Sequence, residues 1–131
     1  MMELLDYLAQ MENLVFSGGK DDGKIQEVEE KLGLKFSEEY KKYLRKYGSV
    51  SYENHELTGL NRSKRLNVVD CTFEQRKSND CLLPDMYVVE DLGIDGIIVL
   101  QRSDGTVYML FSYDNEISKV AGSLVEYLQK G

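Results

Sequence analysis

Residues 24–48 read KIQEVEEKLGLKFSEEYKKYLRKYG and predict two short amphipathic helices in succession. Each helix carries apolar side chains on one face, namely Ile25, Val28 and Leu32 in the first and Tyr40, Tyr43, Leu44 and Tyr47 in the second. Ser37 is a favoured N-cap residue for the second helix, and Gly33 and Gly48 suit the left-handed position that ends a helix. The tyrosines at helical spacing are most simply core residues whose hydroxyl groups reach the rim of the core.

The residues before this stretch predict another helix. Four apolar side chains recur at helical spacing, namely Leu4, Leu8, Met11 and Val15. This helix is predicted to end near Phe16, before the run Ser17-Gly18-Gly19 and a polar link. Asp22 is then available to cap the helix that follows.

The character of the sequence changes after Gly48. Residues 50–60 have the two-residue period of a strand, and Thr58-Gly59 offers a place to turn. Residues 67–77 are ambiguous, because their apolar positions fit one helical face although several are β-branched. This segment is interpreted as a helix.

The C-terminal half predicts a β-meander and a closing helix. Three strands are predicted at 86–91, 96–102 and 106–113. An Asp-Gly pair in each connection marks a hairpin turn. The last helix is predicted from its apolar face, formed by Ala121, Leu124, Val125 and Leu128. This order predicts an α+β fold with a mostly antiparallel sheet of about four to five strands, and with the N-terminal and C-terminal helices packed on one face.

The composition limits the class of protein. With 131 residues, 42% of them hydrophobic, the chain is predicted to form one domain over residues 1–131. No apolar run approaches the ~20 residues that cross a bilayer, and the acidic N-terminus lacks the basic region of a signal peptide, so a cytoplasmic location is predicted. Cys71 and Cys81 could form a disulfide, but two buried free thiols are favoured in a reducing compartment.

The net charge of −7 is concentrated in one part of the chain. Residues 80–117 contain eight acidic residues against the single base Arg102, and this difference of seven equals the whole net charge. The negative field is therefore predicted to lie in the C-terminal β-region. It disfavours nucleic acid, which needs a basic face on the protein, and favours a basic protein partner.

No motif in the sequence predicts an enzyme, a metal site or a bound cofactor. His55 is the only histidine and has no Ser or Cys motif beside it. Carboxylate pairs such as Glu90-Asp91 lie beside turns, where Asp commonly accepts local hydrogen bonds, and the cysteines lack the spacing of a zinc site. A small hydrolase that uses His55 and carboxylates is the least favoured alternative.

Tyrosines and acids of the C-terminal β-region are the predicted partner-binding residues. Tyrosine is enriched at the energetic centres of protein interfaces, and carboxylates select a basic partner. The predicted contact residues are Tyr87, Glu90, Asp91, Asp95, Asp104, Tyr108, Tyr113, Asp114 and Glu116.

The order of several local patterns resembles the SUKH superfamily, which is named for bacterial immunity proteins and a yeast regulator of cell-wall glucan synthesis. The segments that carry the resemblance are 25–33, 36–40 with Leu44 and Tyr47-Gly48, 57–59, 83–91, 104–108 and 121–128. Together they cover a family-like core of residues 22–130.

The resemblance implies a bacterial immunity protein that neutralises a cognate secreted toxin, often a nuclease, and has no activity of its own. A nuclease presents a basic groove to phosphates, and an acidic face could occupy that groove. The implied partner is a toxin with a basic active-site groove, and the chain itself is expected to be a monomer or a weak dimer. A regulatory adaptor that binds an endogenous protein, as the eukaryotic relatives suggest, is the alternative.

Overall fold

The computed structural model describes residues 2–93, 96–111, 113 and 115–130. The α-helices in this part of the chain are α1 Leu4–Ala9, α2 Asp22–Leu32, α3 Glu38–Lys46, α4 Val68–Ser78 and α5 Leu124–Lys130. The strands are β1 Val15–Phe16, β2 Val50–Tyr52, β3 His55–Leu57, β4 Tyr87–Asp91, β5 Ile97–Gln101, β6 Val107–Phe111 and β7 Glu116–Ala121. A single 3₁₀ turn, Lys64–Leu66, precedes α4.

The strands form one antiparallel sheet in which the spatial order equals the chain order. This confirms the predicted α+β class, although the described part of the chain forms seven strands rather than four to five. Helices α1, α2, α3 and α5 share the main core with Tyr87 and Val89 of β4, so the terminal helices pack on one face as predicted. Val88 and Leu100 belong to a smaller core on the other face, with Cys71 of α4 beside it.

The first helix is shorter than predicted, because it ends at Ala9 rather than near Phe16. Asn13 has a φ of 59°, in the left-handed region, and this conformation cannot continue a right-handed helix. Val15–Phe16 then forms β1, which pairs with β2. A β-branched residue and an aromatic residue favour such an extended pairing.

Helices α2 and α3 lie where the sequence places them. Asp21, rather than Asp22, caps α2, and its side chain accepts a backbone N–H of the first turn at 2.9 Å. Gly33 ends α2 with a φ of 69°, as predicted for the left-handed position. Ser37 Oγ accepts the N–H of Tyr40 at 3.0 Å, which confirms the predicted cap of α3.

The tyrosine face of α3 is buried, as predicted. Tyr40 and Tyr43 have no exposed surface, and Tyr47 is 7% exposed. Their hydroxyl groups do not all reach the rim of the core, however. Tyr40 and Tyr43 donate to the carbonyl oxygen of Thr58 at 3.1 and 2.7 Å, which ties α3 to the chain that follows β3.

The predicted strand over residues 50–60 is a hairpin of β2 and β3. Its turn lies at Glu53 and Asn54 rather than at Thr58-Gly59. Thr58 is instead buried, and its hydroxyl donates to the carbonyl oxygen of Val88 at 2.7 Å. The polar side chain that suggested a turn therefore supplies a hydrogen bond to β4.

The C-terminal meander follows the prediction and extends it. The three predicted strands are confirmed as β4, β5 and β6, and the ambiguous segment of residues 67–77 is α4. Strand β7 was not predicted. Ala121 is its last residue rather than part of the last helix, which begins at Leu124 after Ser123 accepts the N–H of Glu126 at 3.1 Å.

The two cysteines are free thiols at partly buried positions. Both pack against the smaller core of the sheet. Burial raises the pKa of the Cys71 thiol to about 11.

Candidate functional site

The acidic residues of the C-terminal half lie at both ends of the sheet. Asp91 and Glu116 lie where β4 ends and β7 begins, whereas Asp104 lies at the opposite end, in the turn from β5 to β6. The predicted contact residues Asp95 and Asp114 fall outside the described residues. The expected single acidic face is therefore divided between two ends of the sheet in the part of the chain that the structure describes.

Tyr87 and Glu90 are interior residues, which corrects the prediction that they contact a partner. They are 0% and 1% exposed. A β-bulge between Val88 and Glu90 directs the Glu90 side chain into the main core. The Tyr87 hydroxyl accepts the N–H of Ser37 at 3.0 Å and donates to Gln101 Oε1 at 2.7 Å.

A groove of about 390 Å³ lies beside Asp104, where the N-termini of α1, α3 and α5 meet the turn from β5 to β6. Its apolar walls include Leu5 and Val125. Among the described residues that line it, Lys42 is the one cation. The lining carboxylates are those of Glu3, Glu38, Glu39 and Asp104, and these residues define the acidic groove.

Two of these carboxylates have a lysine beside them. Glu3 lies 3.3 Å from Lys42 Nζ, and Glu38 lies 3.2 Å from Lys41 Nζ. Both carboxylate side chains are largely exposed, so each ion pair contributes little stability. A cation of a partner protein can therefore replace the lysine in either pair.

Asp104 has no cationic side chain within 4.0 Å among the residues that the structure describes. Its Oδ1 accepts the Oγ1–H of Thr106 at 2.6 Å and the backbone N–H of Thr106 at 3.0 Å. These hydrogen bonds lower the pKa of Asp104 below its usual value. Asp104 is therefore a fixed negative charge at the edge of the acidic groove.

Glu39 fixes the inner wall of the acidic groove. Its carboxylate accepts the N–H groups of Leu124 and Val125 at 2.8 and 3.0 Å, and it accepts Gln101 Nε2 at 2.9 Å. A residue of α3 therefore caps the N-terminus of α5 and links these two helices through hydrogen bonds.

Tyr108 lies at the same end of the sheet as Asp104 and is partly exposed. Hydrogen bonds with Thr106 and Arg102 lower the pKa of its hydroxyl group. Arg102 also lies 2.7 Å from Asp85, so one acid of the predicted acidic region is neutralised within the chain.

The opposite end of the sheet exposes Asp91, Tyr113 and Glu116, which together form the acidic sheet end. Tyr113 is 74% exposed, and its ring packs edge-on against Phe111 at 6.2 Å. Asp91 accepts the N–H of Gly93 at 2.8 Å, which holds the start of the turn after β4. These three residues remain predicted contact residues.

His55 belongs to a buried network around Glu90. His55 Nδ1 lies 3.0 Å from Glu90 Oε2, which also accepts the N–H of Glu56 at 3.1 Å. The hydroxyl of Tyr127 donates to Glu90 Oε1 at 2.7 Å. The hydrogen bond to Glu90 raises the pKa of His55. The network joins β3, β4 and α5, so its evident role is to hold these elements together.

This network lacks the parts of a nucleophilic site in the described structure. No hydroxyl or thiol of Ser, Thr or Cys makes a hydrogen bond with His55 among the described residues. Outside residues 1, 94–95, 112, 114 and 131, no three His, Cys, Asp or Glu side chains are grouped to hold a metal ion. No helix in the same described ranges has the length and apolarity to cross a membrane.

Comparison with known families identifies the chain. The SUKH_5 family model, described as SMI1-KNR4 cell-wall, matches residues 1–130. The chain belongs to the SUKH superfamily. The match extends beyond the core of residues 22–130 that the sequence resemblance covered, because it includes α1 and β1. No curated protein matches this SUKH protein.

The sequence pattern identified only part of the acidic groove of this SUKH protein. Asp104 was predicted, but Glu3, Glu38 and Glu39 were not. Glu38 and Glu39 lie in the first turn of α3, where acidic residues are favourable in any helix and therefore give no sign of a binding site. The position of these glutamates in the groove depends on three helix N-termini that come together only in the tertiary structure. No local sequence pattern predicts that arrangement.

Proposed function

We propose that this SUKH protein is an immunity protein that binds a cognate toxin and blocks it, without catalytic activity of its own. Its membership of the SUKH superfamily over residues 1–130 supports a role in protein binding. The acidic groove is the proposed contact surface, because Asp104 there forms no ion pair within 4.0 Å among the described residues. Arg102 and Lys119 lie farther away and contribute only secondarily to its lowered pKa.

The acidic groove suits a basic side chain of the toxin. The partly exposed side chain of Leu5 can pack the aliphatic stem of an arginine or lysine, while the charged group of that residue meets Asp104 and Glu38. An arginine has the better geometry, because its planar guanidinium group can hydrogen-bond a carboxylate through two N–H groups.

A nuclease toxin fits this surface, because it must present cations to the phosphates of its substrate. Opposite fields speed the encounter of two proteins, with association rates up to the order of 10⁸–10⁹ M⁻¹s⁻¹ at low salt. Rapid capture is what protection of the producing cell requires. An immunity protein bound in the basic groove of the toxin would also exclude the nucleic-acid substrate of the toxin.

The test uses a candidate toxin encoded beside this gene and two variants with the same change in charge. Glu38→Lys with Asp104→Lys alters the acidic groove, and Asp91→Lys with Glu116→Lys alters the acidic sheet end. Surface plasmon resonance at several salt concentrations gives the association and dissociation rates. Growth of cells that produce the toxin with each variant gives the protection.

The proposal expects the groove variant to associate at least about tenfold more slowly, to lose most of its salt dependence and to fail to protect cells. The variant of the acidic sheet end should behave like the native chain. The reverse pattern would move the contact to Asp91, Tyr113 and Glu116. Native behaviour of both variants would reject an acidic docking surface altogether.

A regulatory adaptor is the second candidate function, because the matching family is described by a cell-wall term. Affinity purification of the tagged chain from its own cells distinguishes the two. Recovery of endogenous proteins and no toxin, with binding that survives the groove variant, would favour the adaptor.

A further inference from the structure

A second groove, of about 370 Å³, has the opposite electrostatic sign. It lies between α2, the loop of residues 60–62 and the start of α4. Its described lining contains the one acid Asp70 and four cationic residues. The cations are Lys20, Lys24, Lys31 and Arg62, and they define the basic groove. In a chain with a net charge of −7, such a concentration of positive charge is not a general property of the surface.

The cations of the basic groove are poorly compensated within the chain. Lys24 and Lys31 share one carboxylate, that of Glu27, at 3.7 and 4.0 Å. Lys20 and Arg62 have no ion-pair partner among the described residues. Like charges that line one cleft repel each other, and a bound anion relieves that repulsion.

The loop that presents Arg62 is fixed by side-chain hydrogen bonds. Asn61 Nδ2 donates to Ser49 Oγ at 2.8 Å, and Asn61 Oδ1 accepts the N–H of Ser63 at 2.8 Å. Asn67 Nδ2 donates to the carbonyl oxygen of Asn61 at 2.9 Å. The backbone on both sides of Arg62 is thus already ordered, so a ligand does not have to order this loop on binding.

The lining of the groove also limits what it binds. Val69 is partly exposed and provides an apolar surface between the cations, whereas Val28 and Leu60, which also line the groove, are only 2% and 4% exposed. The described lining contains no aromatic residue on which a nucleic-acid base could stack. The site therefore favours a ligand that combines carboxylates with an aliphatic group over a nucleic acid or a bare inorganic anion.

We propose that the basic groove binds an acidic segment of a partner protein. Carboxylates of the segment pair with Lys20 and Arg62, and an aliphatic side chain between them packs against Val69. This site is separate from the acidic groove, so it gives the protein two docking surfaces of opposite charge. It does not depend on whether the partner at the acidic groove is a toxin.

The test measures binding of a fluorescein-labelled peptide by fluorescence anisotropy. The peptide has a central leucine with three glutamates on each side. Comparison peptides replace the glutamates by glutamines or the leucine by glycine. A labelled single-stranded oligonucleotide and competition by inorganic phosphate test the other anions. The double variant Lys20→Glu with Arg62→Glu removes the charges of the groove. Lys35→Glu with Lys119→Glu makes the same change in charge on exposed residues outside it.

The native chain should bind the acidic leucine peptide at least about tenfold more tightly than either comparison peptide or the oligonucleotide. The groove variant should lose at least about tenfold in affinity, whereas the control variant should lose less than about threefold. Equal losses in both variants would show only a general charge effect and would overturn the proposal. Absence of peptide binding, or tighter binding of the oligonucleotide or phosphate, would overturn it as well.

Discussion

The imidazole of His55 and the carboxylate of Glu90 form a hydrogen bond of 3.0 Å at the edge of the main core. The Glu90 side chain is 1% exposed and that of His55 is 19% exposed, so water screens the pair only on the histidine side. Tyr127 of α5 donates to the other oxygen of Glu90, and the pair therefore connects the sheet to the last helix.

The pair makes the stability of the protein depend on pH. The hydrogen bond to Glu90 raises the folded-state pKa of His55 above 6.5. The stabilisation is thus fully present below the unfolded-state pKa of about 6.5 and is lost as the pH rises through the folded-state pKa. Urea unfolding from about pH 5.5 to 9 should show that His55→Gln costs most at the acidic end. A cost that stays constant or grows with pH would contradict this assignment.

Removal of the Tyr127 hydroxyl should destabilise the fold. Tyr127→Phe leaves Glu90 Oε1 without this donor in a buried site, and the expected cost is about 1–3 kcal/mol of unfolding free energy. Tyr113→Phe is the matched control, because it removes a tyrosine hydroxyl from a side chain that is 74% exposed. It should change the free energy of unfolding by less than about 0.5 kcal/mol. Similar effects of the two substitutions in urea unfolding would reject the structural role of the network.

Two adjacent glutamates of α3 should differ in their contribution to stability. Glu39 accepts the N–H groups of Leu124 and Val125, so Glu39→Ala should cost about 1–2 kcal/mol of unfolding free energy. In the described part of the chain, the one ion pair of Glu38 is with Lys41 at the surface, and Glu38→Ala should cost less than about 0.5 kcal/mol. Loss of protection from hydrogen exchange at the start of α5 should accompany Glu39→Ala alone.

Two glycine substitutions should have opposite effects. A Cβ atom at Gly59 would overlap the carbonyl oxygen of Gly48, so Gly59→Ala requires the backbone to move and should cost more than about 2 kcal/mol. Gly23 lies in the first turn of α2, where a Cβ would meet only Asp21 at an ordinary 3.5 Å. Gly23→Ala should therefore stabilise the protein by up to about 1 kcal/mol in thermal or urea unfolding.

Elements with strong local signals could be predicted from the sequence. The stop of α2 at Gly33 and the cap of α3 at Ser37 depend on residues within one turn. The hairpin after β5 likewise follows from the adjacent Asp104 and Gly105. These features form because the residues that make the contacts are neighbours in the chain.

The edge strands could not be predicted in the same way. Strand β1 has only the two residues Val15–Phe16, and its extended form depends on pairing with β2. Strand β7 mixes apolar and polar residues, so its pattern is weak until β6 supplies the partner. The partner of β1 lies beyond α2 and α3 in the chain, and helical spacing from Leu4 to Val15 gave a competing signal for β1. The partner of β7 is the preceding strand β6, but the mixed pattern of β7 does not by itself distinguish a strand from a loop.

The sequence by itself determined the α+β class, the tyrosine core of α3, the acidic surplus and the resemblance to the SUKH superfamily. Only the tertiary structure decided which acidic residues hold the fold together and which are exposed to a partner. Glu29, Glu39 and Glu90 each accept backbone N–H groups from another part of the chain, namely those of Phe36, of Leu124 and Val125, and of Glu56. The sequence shows where the carboxylates are, but it does not show which backbone N–H groups they will meet in the folded chain. The acids that accept those N–H groups have a structural role, whereas an exposed acid such as Asp104 can still contact a partner.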